Sequence, residues 1–227
     1  TWEGMKLYSV YDKNKIITVS IRPFTKQYYY SEKLMNDRLT ANHYEIFGSD
    51  LKKENKLIGV LAGNRLDFTL TSNNLLPNLA TFSLDPARWL PLYRYDTNGN
   101  CIENISDWGF NQFTKQYGKK GITKEAIFHY VYAVLHNPAY QKKYELNLKR
   151  EFPRIPFYEN FKQWSEWGKV LMDLHINYET VKPFELKELS TDHKENPKAK
   201  LKADKENGTI ILDENTILTG IPKEAWT

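Results

Sequence analysis

The chain has 227 residues, of which 41% are hydrophobic and 14% aromatic, enough to bury a sizeable core, which excludes an intrinsically disordered protein. Its 32 Lys and Arg against 28 Asp and Glu give a formal net charge of +4, which permits nucleic-acid binding without requiring it. The single cysteine, Cys101, excludes internal disulfides and cysteine-rich zinc sites, and no apolar run reaches the roughly 18 residues of a membrane span. We expect a cytoplasmic protein, and Thr1 in place of an initiating Met suggests a domain excised from a longer chain.

The first part of the chain is predicted to be rich in strands, because short stretches of β-branched and aromatic residues alternate with turn-forming residues. Between them we predict a helix over Ser31–Phe47, with Ser31 as its cap and Gly48 just past its end. The dipeptide Asn98-Gly99 is typical of a tight turn after the last strand. The predicted strands are Lys6–Tyr11, Lys15–Ile21, Gln27–Tyr30, Leu57–Leu61, Phe68–Thr71 and Trp89–Tyr95.

Helices are predicted to follow. In Thr123–His136 the apolar residues recur with the period of one helix face. Asn137-Pro138 favours a new helix running to about Arg150, since Asn caps helices and Pro fits their first position. The two prolines of Phe152–Pro156 predict an extended loop. Asn160–His175 is apolar on more than one face, which predicts a largely buried helix.

The last part of the chain is predicted to be a polar connector, residues 182–206, and a small β-hairpin. Asn207-Gly208 is typical of a turn and would join strands at Ala199–Ala203 and Thr209–Leu212. The sequence therefore predicts an α+β fold with a mixed or antiparallel sheet in the N-terminal half and a helical C-terminal half. We divide it into residues 1–120, 121–180 and 181–227, and we expect the three parts to form one compact domain.

Catalytic motifs have weak support. A methyltransferase that binds S-adenosylmethionine needs a glycine-rich turn, and no two glycines here have the G-x-G spacing. The segment Asn137–Tyr140 lacks the second proline of an adenine-methyltransferase loop, and a helix cap explains it better. Glu185-Leu186-Lys187 matches the E-x-K of magnesium nucleases but lies in the polar connector. The histidines show no ligand spacing. We expect no catalytic residue, cofactor or metal in this chain.

Four segments carry more specific patterns. Ile21–Tyr30 reads IRPFTKQYYY, Trp89–Tyr95 reads WLPLYRY, Ile127–Tyr140 reads IFHYVYAVLHNPAY and Phe152–Pro156 reads FPRIP. In this order they resemble the C-terminal specificity (target-recognition) region of the Type ISP (LlaBIII-like) single-chain restriction-modification enzymes. Gly220–Glu224 is similar to a further segment of that family.

Two positions depart from the family pattern. Thr25 stands where the family usually has Asp, and Gln27 where it usually has Arg. A salt bridge or backbone contact made by that pair in the family is therefore not expected here.

The resemblance implies that this chain is the target-recognition domain of a longer enzyme. The parent would carry nuclease, helicase-like ATPase and adenine-specific DNA methyltransferase parts, which use S-adenosylmethionine, ATP and Mg. This domain would dock double-stranded DNA against the methyltransferase part and choose the sequence to be modified or cut, with residues 1–120 as the DNA-recognition part. The alternative is a docking module that holds the methyltransferase part against the rest of the parent without reading DNA.

Candidate base-reading residues follow from the chemistry of the major groove, where Arg pairs with guanine and Asn or Gln with adenine. Loops of the strand-rich part offer Asn64, Arg65, Asn73, Asn74, Arg88 and Arg94. The asparagines also have an ordinary interpretation as turn residues.

Candidate phosphate-binding residues concentrate in residues 115–154, where nine bases and three acids give a net charge of +6. This pattern fits a phosphate-facing patch or a solvated helix face. Arg22 and Lys26 flank a proline-fixed turn and could hold phosphate, or Arg22 could be a structural partner. The candidates are Arg22, Lys26, Lys115, Lys119, Lys120, Lys142, Lys143 and Arg154. The aromatic residues predicted to be core residues are Tyr28, Tyr29, Tyr30, Tyr130, Tyr132, Trp164 and Trp167.

Overall fold

A computed structural model describes residues 9–36, 39–61, 67–82, 86–190 and 194–226. The chain divides into two compact units, Thr1–Glu179 and Thr180–Thr227, and the fold is α+β, as the sequence predicts. The elements of the first unit are β1 (Ile16–Arg22), β2 (Thr25–Tyr30), α1 (Ala41–Phe47), β3 (Leu57–Leu61), β4 (Thr69–Asn73), β5 (Leu76–Pro77), β6 (Arg88–Pro91), β7 (Tyr93–Tyr95), β8 (Cys101–Glu103), α2 (Asp107–Tyr117), α3 (Lys124–His136), α4 (Pro138–Lys143), α5 (Glu145–Leu148) and α6 (Phe161–Ile176). Those of the second unit are β9 (Lys187–Ser190), β10 (Ala199–Asp204), β11 (Thr209–Asp213) and β12 (Thr216–Thr219).

Strand β3 separates the two hydrophobic clusters of the first unit. It is the middle strand of an antiparallel sheet in the order β4-β3-β6, and its five residues are all buried. Because successive side chains of a strand point to opposite faces, Leu57 joins one cluster while Ile58 and Val60 join the other. Gly59 leaves room for the Trp89 ring, which an added Cβ would meet at 2.5 Å. Both faces of β3 are covered, which explains why its sequence is apolar without interruption.

The smaller cluster is formed by β1, β5 and α1. Strand β1 pairs with β2 antiparallel and with β5 parallel, and it contributes Ile17 and Val19 to the cluster. The larger cluster is centred on α3, where Tyr130, Tyr132 and Val134 are fully buried.

Helices α3 and α6 pack closely because a glycine lies at their crossing. An added Cβ at Gly168 would lie 1.8 Å from the carbonyl oxygen of His129, so only glycine fits there. Three residues earlier, the Ser165 hydroxyl donates to the carbonyl oxygen of Ala126 at 2.9 Å. Both helices begin where the sequence predicts, with the side chains of Thr123 and Asn160 as their N-caps.

The predicted helix over Ser31–Phe47 is wrong in its first half. The side chain of Asn36 bonds the carbonyl oxygens of Tyr30 and Glu32, which holds this stretch out of a continuous helix. Helix α1 begins only at Ala41, after a capping box between Thr40 and His43.

Two further differences concern residues 89–117. The single strand predicted at Trp89–Tyr95 divides into β6 and β7 at the buried Leu92, whose backbone N–H donates to the carbonyl oxygen of Lys56. Helix α2 was not predicted because Gly109 and several polar residues weaken its pattern, although Ser106 caps it and Gly118 ends it.

The predicted strand Lys6–Tyr11 lies partly outside the described residues, and residues 9–11 form no strand.

The second unit contains an antiparallel sheet in the order β10-β11-β12-β9. The predicted hairpin is confirmed by the pairing of Asp204 with Thr209, and Gly208 adopts a positive φ of 61° in its turn. The stretch predicted as a connector also contains β9, whose residues are all exposed.

Candidate nucleic-acid interface

The segment Phe152–Pro156 is an extended, irregular stretch, as predicted, and two tyrosines hold it against the helical core. The Tyr140 hydroxyl donates to the carbonyl oxygen of Arg154 at 2.9 Å, and the Tyr130 hydroxyl donates to that of Pro156 at 2.8 Å. Burial raises the pKa of Tyr140 to about 12, so this hydroxyl keeps its proton at neutral pH. The two prolines and the two hydroxyls together make the segment a rigid platform.

Arg88 lies over the exposed face of this platform. Its guanidinium carbon is 5.7 Å from the centre of the Phe152 ring, and that residue is 40% exposed. Arg88 is exposed, and within the described residues its guanidinium, which carries five N–H donors, makes no hydrogen bond or ion pair. Arg88 opens β6 and pairs with Val60 of β3, which fixes its backbone on the central sheet.

Strand β3 ends at Leu61, one residue after the partner of Arg88, and residues 62–66 after it lie outside the described residues. Beyond them, Asp67 lies 3.6 Å from Lys149, which also pairs with Glu145 at 2.8 Å. The base-reading candidates Asn64 and Arg65 fall within residues 62–66 and so lie outside the described residues.

Of the other base-reading candidates, Asn73 and Arg94 are engaged within the fold. The Asn73 side chain donates to the carbonyl oxygen of Leu75 and accepts from its N–H, so Asn73 acts as an ordinary turn residue. Arg94 donates to Glu45 at 2.6 Å on the surface. Asn74 is exposed, and the structure does not bring it to the Arg88 edge.

The phosphate candidates of the β1–β2 turn are also engaged. Arg22 donates to the carbonyl oxygen of Ala80, which favours its structural interpretation. Lys26 pairs with Glu179 at 2.6 Å and lies over the ring of Tyr178 at 5.2 Å.

The lysine candidates are exposed and fall into two sets along the chain, one before α3 and one after it. Lys115, Lys119 and Lys120 precede that helix, and Lys142 and Lys143 follow it. Lys142 and Lys143 lie on α4, whose Tyr140 bonds the carbonyl oxygen of Arg154, so this set is carried by a helix that contacts the platform.

Arg154 belongs with the second lysine set. It extends into solvent from the platform, with its side chain 87% exposed, and it pairs with Glu151 at 2.8 Å. We use the name arginine edge for Arg88, Phe152, Lys149 and Arg154 together with Lys142 and Lys143 of α4, the helix whose Tyr140 bonds the carbonyl oxygen of Arg154.

Several aromatic residues depart from the predicted core. Tyr130 and Tyr132 are fully buried, but Tyr28 is 84% exposed and Trp167 is 54% exposed. The prediction that α6 is largely buried is wrong, since its exposed face also carries Val170 and Leu174. Helical spacing could have indicated this second apolar face, but not that it is left uncovered.

A depression of about 760 Å³ lies between α1, β1 and the C-terminal end of α6. Its lining mixes both signs of charge, and its Lys56 is already bound to Glu125 at 3.1 Å. Such a lining does not favour a phosphate backbone. Among the described residues, we find no group of three His, Cys, Asp or Glu side chains arranged for a metal ion, and no helix long and apolar enough to cross a membrane.

Comparisons with known proteins agree over nearly the whole chain. The family model described as the Type ISP C-terminal specificity domain matches residues 5–227. The cryo-EM structure of a DrdV–DNA complex is similar, with a TM-score of 0.88 and 38% sequence identity. The match covers 99% of this chain and 23% of the DrdV chain.

Two further solved structures are similar. A nuclease-deletion mutant of the Type ISP restriction-modification enzyme LlaGI, in complex with a DNA substrate mimic, matches 99% of this chain and 20% of its own, with a TM-score of 0.78 and 28% identity. The ATP-dependent Type ISP restriction-modification enzyme LlaBIII, bound to DNA, matches 96% and 15%, with a TM-score of 0.79. Its 24% identity carries the likeness of fold alone. This chain thus spans about a fifth of the length of these proteins, and a search of curated sequences gave no match.

Proposed function

This chain belongs to the Type ISP C-terminal specificity domains, and we propose that it selects the target sequence in duplex DNA for a restriction-modification enzyme. The observation that carries the proposal is the family match over residues 5–227. It is supported by a relative of 38% identity that was solved as a DNA complex. In this proposal the chain contributes specificity and no catalytic group.

The arginine edge is the surface that we assign to DNA. Phosphate contacts position a duplex without reading it, whereas contacts to base edges specify the sequence. Lys142, Lys143 and Arg154 suit the first task because they are exposed and cationic. Arg88 suits the second because its backbone is fixed in a strand and, among the described residues, its guanidinium has no hydrogen-bond partner. Asn64 and Arg65, which lie outside the described residues, stay predicted base readers.

The chemistry would belong to other parts of the parent. We infer a site-specific DNA adenine methyltransferase and an ATP- and Mg-dependent nuclease, with S-adenosylmethionine as the methyl donor, as the resemblance implies. The methyltransferase part of the parent would then be the protein partner of this chain. Such an enzyme works where cellular and incoming DNA meet, which agrees with a cytoplasmic protein.

A second function is favoured by the exposed face of α6. Trp167, Val170 and Leu174 recur at helical spacing and are 54%, 51% and 44% exposed. An apolar stripe of this kind can pack against another protein surface. We assign it to the alternative function, docking onto the methyltransferase part of the parent.

Salt dependence separates the two functions. We expect a randomised duplex, followed by fluorescence anisotropy, to bind this chain at low salt and to weaken steeply towards physiological salt, because phosphate contacts release counterions. Absence of binding at low salt would argue against DNA recognition by this chain and favour docking. Trp167→Gln serves as the control, since it should leave the DNA titration unchanged and weaken only an apolar protein contact.

A further inference from the structure

In the part of the chain that the structure describes, Arg88 is the arginine of the arginine edge whose guanidinium makes no hydrogen bond or ion pair, and its backbone is fixed in β6. Arg94 is bound by Glu45, Arg154 is bound by Glu151, and Arg22 bonds the carbonyl oxygen of Ala80. Arg88 instead contacts only the face of the Phe152 ring among the described residues.

We propose that Arg88 reads a guanine in the major groove of the target and that Phe152 is the residue that positions it. This inference rests on the proposed function, because it names the base and the pair of residues that would read it. The planar guanidinium of Arg matches the O6 and N7 acceptors of guanine in a bidentate contact, and no other base presents two acceptors there.

The aromatic ring beneath the guanidinium restricts its motion. A free arginine side chain samples many rotamers and loses that freedom when it binds. The Phe152 ring lies 5.7 Å from the guanidinium carbon, and this cation–π contact restricts the positions that the guanidinium samples. The guanidinium therefore has less of this freedom to lose when it binds.

Both members of the pair are held on fixed backbone. Arg88 is in register with Val60 on β3, a strand whose residues are all buried. Phe152 opens the platform that the hydroxyls of Tyr130 and Tyr140 bind. Precise placement of both groups is the condition under which a base contact discriminates.

The test is selection of preferred duplexes from a randomised pool by the protein in its full natural length, followed by sequencing. The wild-type protein should enrich a G·C pair at one position, roughly 5- to 150-fold over the other pairs. Arg88→Ala should abolish this enrichment at that one position, and Arg88→Lys should reduce it, since Lys can donate to guanine but lacks the planar fork. Phe152→Leu should reduce the enrichment at the same position, and Phe152→Tyr should keep it because the aromatic face is retained.

Arg94→Ala is the matched control, because Arg94 is an exposed arginine in the next strand along the chain, β7, and its guanidinium is already bound by Glu45. It should leave every enriched position unchanged. Thermal melting of each variant confirms that the fold is intact, and a purely structural role of Phe152 would not change the enrichment of a single base pair.

Three results would contradict the proposal. An Arg88→Ala protein with the wild-type sequence preference would overturn base reading by Arg88. Loss of the preference in Arg88→Ala but not in Phe152→Leu would overturn the positioning role of Phe152. A wild-type protein that enriches no sequence at all would overturn the proposed function itself, and with it this inference.

Discussion

We call the packed interface between α3 and α6 the seam. The seam and the arginine edge both contain aromatic residues on rigid backbone, but they differ in whether their polar groups are hydrogen-bonded within the protein. In the seam, the Tyr130 hydroxyl donates to Pro156 at 2.8 Å and accepts the Tyr158 N–H at 2.7 Å. At the edge, the guanidinium of Arg88 has a ring beneath it and no hydrogen bond to any described residue.

This difference separates stability from recognition. A buried hydroxyl without a partner costs free energy, and the Tyr130 hydroxyl of the seam is accordingly bonded on both sides within the protein. A solvated guanidinium costs nothing while it is unbound, so the edge can keep its donors for a ligand. Changes in the seam should therefore lower the free energy of unfolding, and changes at the edge should alter DNA binding alone.

The largest effect is expected from Gly168→Ala in the seam. The added Cβ would lie 1.8 Å from the carbonyl oxygen of His129, which is backbone and can move only if the helices separate. We expect the free energy of unfolding to fall by about 3 kcal/mol or more, measured by urea denaturation.

Gly109→Ala in α2 is the matched control. There the nearest atom to the added Cβ is the Ser106 hydroxyl at 3.4 Å, an ordinary contact. Since Ala forms helices better than Gly, stability should rise by up to about 1 kcal/mol. Equal losses in both variants would show that close packing is not what Gly168 provides.

A pH change should weaken the seam through His136. Burial, together with the neighbouring His175, lowers the pKa of His136 to about 4, whereas in the unfolded chain it is about 6.5. Below pH 6.5 the unfolded chain takes up a proton that the folded protein does not, so stability falls as the pH drops towards 4. The loss from this group should be about 2 kcal/mol at pH 5 relative to pH 7.

The measurement is urea denaturation at both pH values for the wild-type protein and His136→Phe, which keeps a ring against Tyr132. The variant should lose about 2 kcal/mol less than the wild type between pH 7 and pH 5. Some pH dependence should persist, because burial also lowers the pKa of His129 and His175. If the variant loses as much unfolding free energy as the wild type between pH 7 and pH 5, protonation of His136 is not the cause of the loss.

The smallest effect is expected from Lys142→Ala at the edge. Lys142 is exposed, so the free energy of unfolding should not change measurably. Loss of one phosphate contact should weaken all duplexes alike and reduce the salt dependence of log K by about one unit. Anisotropy titrations at several salt concentrations measure the affinity and its salt dependence. Lys162→Ala is the control, because Lys162 is exposed and lies outside the basic residues 115–154. A change in sequence preference would contradict the positioning role of Lys142.

Local signals determined many elements of this protein from sequence. The caps at Thr123 and Asn160, the turn at Asn207-Gly208 and the apolar stretch of β3 predict elements that the structure confirms. They succeed because capping, turn formation and side-chain period depend on residues a few positions apart. Where such signals are weak, as in α2, or compete with side-chain bonds, as at Asn36, the prediction is incomplete.

Only the tertiary structure decided which of these residues have partners. Arg88, Arg94 and Arg22 are equivalent in a sequence-based list, yet one lies on an aromatic ring, one pairs with an acid and one bonds a backbone carbonyl. In the same way, the two apolar faces of α6 look alike in sequence, and only packing against α3 decides which is buried. Sequence fixes the types of side chains, but whether their donors are used depends on contacts between residues far apart in the chain, which arise only when the elements pack.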